Sequence, residues 1–372
     1  MNVYDYIDEY GIYSFLEKPF NEVDSAIFSF LSYADFRNIF DLKKKKIQDI
    51  GRKHFGMHDK KEKNVIAVKE GNHLLEYLKD TKRYKDCIVY NYEYLGSKDL
   101  QFGVIGIEFQ KNYVYVSFEG TDELFSGWKE NFLLSCEFPT KSHRKAIDYL
   151  NKHYTFSRKH LIIGGHSKGG NLAMVAAAFS NYFVRRKIVA VYNFDGPGLL
   201  EEQFQSYQFQ RIKDKYIHII PDYSVVGLLL LNFNDYIVKS NNKTILSHNI
   251  VYWEIDNDHF KKGKLSVFSR ELNKEIDAWI SKYSVQDKLR FIANLDSICQ
   301  KAGVDSFIDL MEEKKKILDL IYSSKDLETD TKKILAEFLN LLLKCYNHST
   351  KEEIKNMLQE KINISFEHKK SS

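Results

Sequence analysis

Proline is scarce in this chain, four residues in 372, and glycine contributes only 18. So little of either excludes collagen-like repeats, Pro-rich linkers and low-complexity disorder. No uninterrupted apolar run reaches the roughly 18 residues that a membrane-spanning helix requires. The nearest approach, Val225 to Leu231, is far too short. The first ten residues carry Asp5, Asp8 and Glu9 and lack a basic start followed by an apolar run, so a secretory leader is not expected. Net charge is also small, because 55 Lys and Arg against 51 Asp and Glu leave +4. Nucleic-acid binding needs a concentrated basic face, and a balance this even gives no argument for it. The four cysteines (Cys87, Cys136, Cys299 and Cys345) are widely spaced and form no Cys-x-x-Cys pair. They read as thiols in a reducing cytoplasm rather than as disulfides or zinc ligands. Neither ligand clusters nor a phosphate loop appear, so no cofactor is expected.

What is present is apolar material in quantity, 44% hydrophobic and 14% aromatic, ample for a sizeable core. Residues 20–55 read as helical, with Asp24 as a cap ahead of Ala26, Ile27, Phe30, Leu31 and Ala34 at helical spacing. A further short helix is predicted over Asn72 to Leu78. The period then changes. Asp86 to Tyr92, Phe102 to Phe109 and Tyr113 to Phe118 are rich in Val, Ile, Tyr and Phe and read as strands. From about residue 140 helices and strands alternate: helix Ser142 to His153, strand His160 to Ile163, helix Asn171 to Phe179, strands Ile188 to Phe194 and Tyr216 to Ile220. Such alternation predicts an α/β fold with a mostly parallel central sheet and helices on both faces. Functional groups should then lie at the carboxyl ends of the strands. After about residue 262 the strand signal gives way to helical patterns. The expected organisation is therefore a domain over 1–261, its first 80 residues mainly helical, and a helical C-terminal segment over 262–372.

The chemistry concentrates in Leu161-Ile162-Ile163-Gly164-Gly165-His166-Ser167-Lys168-Gly169-Gly170-Asn171. Gly165, Ser167 and Gly169 fit G-x-S-x-G between a buried strand and a helix of small residues, the context of a nucleophile elbow. A nucleophilic serine needs a base, and the base an orienting carboxylate. Of the downstream histidines, His248 lies in a polar loop before the strand-like Ile250 to Ile255, while His259 sits in an Asp-Asn-Asp-His turn; His248 is preferred. For the acid, Asp222 follows the strand Tyr216 to Ile220 and is preferred over Asp195, which lies in Asp-Gly-Pro-Gly, strong turn chemistry. Oxyanion donors are expected from the Lys168 backbone N–H and from Thr121 in the turn after strand Tyr113 to Phe118.

These residues resemble the lipase-like α/β-hydrolases. Val116-Ser117-Phe118-Glu119-Gly120-Thr121-Asp122, followed by Trp128, is similar to the oxyanion segment of the class 3 (fungal-type) lipases, as is the elbow. Ser25 to Phe36, Gly165 to Ala173 and Asp195-Gly196-Pro197-Gly198 more closely resemble the bacterial lipase-like Mbeg1-like family (DUF2974), over about residues 1–260. The resemblance implies a serine hydrolase with Ser167 as nucleophile, Asp222 as acid, His248 as base, and Thr121 and Lys168 at the oxyanion. Its substrate would be a small-molecule or lipid ester. Glu119 stands where many class 3 lipases have Arg, and Lys168 where Leu is common, which implies a more polar rim than an oily lipase cleft. A rival reading is a non-catalytic scaffold on a hydrolase fold, working through its helical C-terminus.

Overall fold

Val-, Ile- and aromatic-rich segments pair into one eight-stranded sheet whose spatial order follows the sequence. The computed structural model describes residues 1–37, 44–56, 66–97, 100–121, 132–303, 320, 330–341, 343–345 and 347–348. The strands are β1 (Lys44–Lys46), β2 (Ile88–Ser97), β3 (Leu100–Gln110), β4 (Tyr113–Phe118), β5 (His160–His166), β6 (Ile188–Phe194), β7 (Tyr216–Pro221) and β8 (Asp235–Val238). The first four run antiparallel, and from β4 to β8 every pairing is parallel. Both edge strands escape the sequence reading: β1 is three lysines and β8 is four residues, too little pattern for a period of two. An all-lysine edge also discourages further strand addition.

Right-handed crossovers between strands in unbroken order place their helices on one face. On that face α5 (Lys141–Tyr154) and α6 (Lys168–Phe179) bury Ala146, Leu150, Leu172, Ala173 and Met174 against Val114, Val116, Leu161 and Ile163 of the sheet. The opposite face is covered by lead-in helices instead, chiefly α1 (Val3–Tyr10) and α2 (Glu22–Leu31), with α3 (Ile47–Gly56) and α4 (Ile66–Leu78) adding to the same core. Both faces are thus helical, as expected, but the alternating helices supply only one of them. Helix α2 is capped by Asn21, not Asp24: the Asn21 side chain accepts from the amides of Val23 (2.9 Å) and Asp24 (3.1 Å). Asp24 returns a bond from the Asn21 amide at 3.0 Å, completing a capping box. Ser25 and Ser29 on the same helix meet the buried Tyr115 hydroxyl of β4 at 2.9 and 2.6 Å, which fixes α2 over the sheet.

The expected strand Ile250 to Ile255 is instead a 3₁₀ turn, Ile250–Tyr252, followed by a two-residue hairpin strand, Ile255–Asp256. Beyond it α7 (Val267–Lys282), α8 (Val285–Lys301) and the helical residues 330–341 build a third apolar cluster around Trp279, Phe291, Leu295, Leu335 and Phe338. Phe132, Leu133 and Ile245 pack on that cluster, so the C-terminal helices share their core with the segments around the sheet. Within the expected helical segment, residues 304–329 lie outside the described residues except for Leu320. Among the described residues no helix is long and apolar enough to cross a membrane, and no cluster of metal-ligating side chains occurs.

Candidate active site

The chain leaves β5 at His166 and enters α6 at Lys168, so Ser167 must turn the backbone within one residue. It does so at φ 57° and ψ −132°, a conformation that side-chain-bearing residues rarely adopt and that concentrates at functional sites. The sharpness of the bend brings backbone against backbone. A methyl group on Gly165 would sit 2.3 Å from the Gly169 carbonyl carbon, and one on Gly169 would sit 2.1 Å from the Phe118 oxygen. Only glycine fits at either position. The Ser167 side chain makes no capping bond to α6, and it stands at the helix N-terminus, where developing negative charge is favoured.

Parallel pairing of β5 and β6 sets His166 opposite Phe194, and the Ser167 amide donates to the Phe194 carbonyl at 2.9 Å. The next residue along β6 is Asp195, which is therefore beside the elbow. Its backbone also lies in the left-handed region, at φ 49°, and its carboxylate is fully buried. Oδ1 accepts from the Ser224 hydroxyl and from the Gly227 amide at 3.1 Å. Oδ2 accepts from His248 Nδ1 at 2.6 Å. The acid that meets His248 is thus Asp195. Asp222 is elsewhere, one strand further along the sheet. Its Oδ1 accepts from the Ser240 amide at 3.2 Å, and its backbone bonds Val238 and Ser266, which makes it a staple between β8 and the start of α7. Burial pushes the Asp222 carboxyl up to about 6.

Why the turn residue rather than Asp222 reaches the histidine follows from its anchors. Asn171 Nδ2 on α6 donates to the Gly198 carbonyl at 2.7 Å, and its Oδ1 accepts from His143 Nε2 at 2.7 Å. Asn193 Oδ1 accepts from the Gly196 amide at 2.9 Å. The Asp195-Gly196-Pro197-Gly198 turn is thereby tied to the helix that starts at the nucleophile.

His248 comes from the turn Ile245–His248, and with Nδ1 committed to Asp195 its Nε2 is left as the basic nitrogen. The ring is one-quarter exposed and lies 4.4 Å, centroid to centroid, from the ring of His166, the residue next to the nucleophile. No hydrogen bond closes between Ser167 and His248 here, and in unliganded sites such bonds are often long. His166 also holds the backbone of the base: its Nε2 donates to the His248 carbonyl at 2.7 Å, so Nδ1 accepts from the Tyr33 hydroxyl at 3.0 Å. Burial first, then the neighbouring His248, depresses the His166 pKa well below the usual histidine range and keeps the ring neutral. The role of His166 was not read from the sequence, where it is only the variable position of the motif. His259 lies in a two-residue hairpin against Asp258, exposed, as its turn-like sequence suggests.

Of the expected oxyanion donors, Lys168 is the first residue of α6, where backbone amides are not consumed by the helix ladder. Thr121 follows Gly120, whose amide nitrogen would lie 3.0 Å from a methyl on Gly169, so the turn after β4 abuts the elbow. Asp122 and Trp128 lie outside the described residues. The expected polar rim is not formed by Glu119 and Lys168. Both are buried, and Lys168 Nζ turns inward to the Gln101 carbonyl at 2.7 Å. The Lys168 side chain thus points into the protein rather than to a rim.

A sheet parallel from β4 onward, covered on both faces, with a strained strand-to-helix serine and an acid and a histidine supplied later in the chain, defines the α/β-hydrolase fold. The family model of the Mbeg1-like proteins matches residues 78–296, and the chain belongs to that family. The matched span begins after Ser25 to Phe36 and continues through α7 into α8, further than the motifs alone reach. Among solved structures, the M37 lipase is similar at 17% identity and a TM-score of 0.34, over 56% of this chain and 69% of that one. The lipase from Rhizopus microsporus var. chinensis is similar at 14% identity and a TM-score of 0.30, over 53% and 71%. No curated protein matches.

Proposed function

We propose that the chain is a serine hydrolase of carboxylic esters, with Ser167 as nucleophile, His248 as general base and Asp195 as the carboxylate that orients it. The observation that carries this reading is the 2.6 Å contact between Asp195 Oδ2 and His248 Nδ1 beside a serine at φ 57°. The three follow the chain order Ser, Asp, His of a hydrolase triad, and Ser167 and Asp195 directly follow β5 and β6. In the reaction His248 Nε2 takes the Ser167 proton as Oγ attacks the ester carbonyl. The imidazolium so formed is held by Asp195, then returns the proton to the leaving alkoxide. In this reading the Lys168 amide and Thr121 receive the oxyanion. Water repeats the sequence on the acyl-enzyme and releases the acid.

The test is Ser167→Ala, assayed on p-nitrophenyl acetate and by fluorophosphonate labelling. Hydrolysis should fall roughly 10⁴- to 10⁶-fold and labelling should vanish. Labelling and turnover at the native level in a folded Ser167→Ala protein would refute the mechanism. The scaffold alternative predicts instead an intact protein inert towards ester, thioester and phospholipid panels.

A further inference from the structure

The even net charge of the chain hides a local excess. Four turns lie at the amino ends of β4 to β7, the edge of the sheet opposite the turns that carry Ser167 and Asp195. Segments 155–159 and 181–187, which lead into β5 and β6, hold five cations and no acid. They lie side by side: Asn181 Nδ2 donates to the Thr155 hydroxyl at 2.7 Å, and Lys187 Nζ to the Thr155 carbonyl at 2.7 Å. Arg158 and Arg186 are exposed and enter no ion pair among the described residues. Lys187 donates to backbone carbonyls rather than to an acid, and burial first, then Arg186, lowers its pKa. Of the acids nearest this edge, Glu108 is paired with Lys159, and Asp214 lies between Lys213 and Lys215. Apolar side chains stand among these charges. Phe156 is 95% exposed, Tyr182 53% and Phe183 56%. Val189, skipped by the pairing of β5 with β6, is exposed two residues past Lys187. Single exposed apolar residues need no explanation, but aromatics gathered within a cationic patch mark an interaction surface.

We propose that this edge docks on an anionic lipid bilayer, its arginines and lysines meeting headgroup phosphates while Phe156, Tyr182 and Phe183 enter the interface. The cations call for a polyanion, and the apolar side chains decide which one. A phenylalanine at the tip of a loop and an aliphatic valine suit the boundary between headgroups and acyl chains. Nucleic-acid bases would instead need flat stacking faces, and Tyr182 and Phe183 stand edge to face, at 5.6 Å and 72°. Strands of six or seven residues put the elbow about 20 Å beyond this edge, so a docked molecule holds Ser167 away from the bilayer. On the hydrolase reading the ester then arrives from water rather than out of the membrane. The docking itself does not rest on that reading.

The experiment floats the full chain with vesicles of phosphatidylcholine, with and without about one-third phosphatidylglycerol, at about 50 mM and about 500 mM salt. Binding should need the anionic lipid and should fall at least about tenfold at the higher salt, where surface charge is screened. Arg158→Gln combined with Arg186→Gln should weaken it about 25-fold, at about fivefold per cation, and Phe156→Ser about tenfold. These substitutions alter exposed side chains, so circular dichroism and turnover of p-nitrophenyl acetate should match the native protein. Phe156→Trp should add a fluorescence component that brominated lipid quenches, which reports entry of this loop directly. Failure to float with anionic vesicles at low salt, or flotation indifferent to both sets of substitutions, would overturn the proposal. So would tighter binding to a single-stranded oligonucleotide that the same substitutions weaken, which would assign the edge to nucleic acid. Flotation does not pass through Ser167, so its result stands whatever the esterase assay shows.

Discussion

Two fully buried aspartates, Asp24 in the lead-in helices and Asp195 beside the elbow, solve the same electrostatic problem in different ways. Asp24 sits in a helical first turn and binds the Arg83 guanidinium through Nε at 2.8 Å and Nη2 at 2.6 Å, with both side chains at 0% exposure. Tyr84 adds a hydroxyl at 2.6 Å. Burial alone would lower the Arg83 pKa, but the Asp24 pairing outweighs it and holds the guanidinium charged. Asp195 sits at the end of a strand with a positive φ and, among the described residues, accepts from a hydroxyl, an amide and an imidazole. No permanent cation faces it in those bonds. The first carboxylate is compensated at all times, as structure requires. On the proposed mechanism the second gains its full counter-charge only when His248 takes the Ser167 proton, so its stabilisation would be greatest during reaction.

That contrast can be tested by removing each charge in turn. The largest effect is expected at the elbow. Asp195→Asn keeps the acceptor for Gly227 but removes the carboxylate from His248, and kcat on p-nitrophenyl acetate should fall about 10⁴-fold. Far-ultraviolet circular dichroism should be unchanged. At the other site Arg83→Met leaves Asp24 buried without its partner and should cost about 3–5 kcal/mol by urea denaturation. Turnover per folded molecule should stay near the native value. If Arg83→Met abolishes turnover in folded protein, or Asp195→Asn merely destabilises, the division between structural and reactive carboxylate is wrong.

A smaller effect is expected at His166, which touches the base through its backbone. His166→Phe keeps the bulk but loses the bond to the His248 carbonyl, and kcat should drop about 10- to 100-fold with KM little changed, the scale of a displaced catalytic group. A KM effect instead of a kcat effect would assign His166 to the substrate site.

The sheet core, the sharp turn at Ser167 and the loop that carries His248 are legible because each rests on local chemistry: strand propensity in Tyr113 to Phe118, close backbone approach at Gly165 and Gly169, a polar stretch around His248. The sequence favours Asp222 over Asp195 because Asp-Gly-Pro-Gly reads as turn chemistry as readily as an acid's support. What distinguishes the two is the parallel register of Phe194 with His166, a tertiary fact. Lys168 misled for a related reason. A charge next to a nucleophile suggests an exposed rim, yet the long stem reaches the Gln101 carbonyl inside the protein. Edge strands as short as β8 have too few residues to announce themselves by alternation.

The smallest expected effect returns to Asp222, whose preference from sequence the geometry corrects. Its carboxyl titrates near 3.8 in the unfolded chain and about 6 in the folded one, mainly because burial opposes its charge. Between those values the folded state holds more protons than the unfolded, so stability contributed by this group falls as pH rises through the window. Asp222→Asn keeps the oxygen that accepts from the Ser240 amide and removes the titration. The variant should therefore melt higher than the native protein above pH 6, and the two curves should converge near pH 4, with esterase turnover within about twofold throughout. A loss of turnover comparable to that of Asp195→Asn would restore Asp222 to the catalytic machinery. A variant that melts lower at pH 7 would show that the ionised carboxylate, not the neutral acid, is what the staple between β8 and α7 requires.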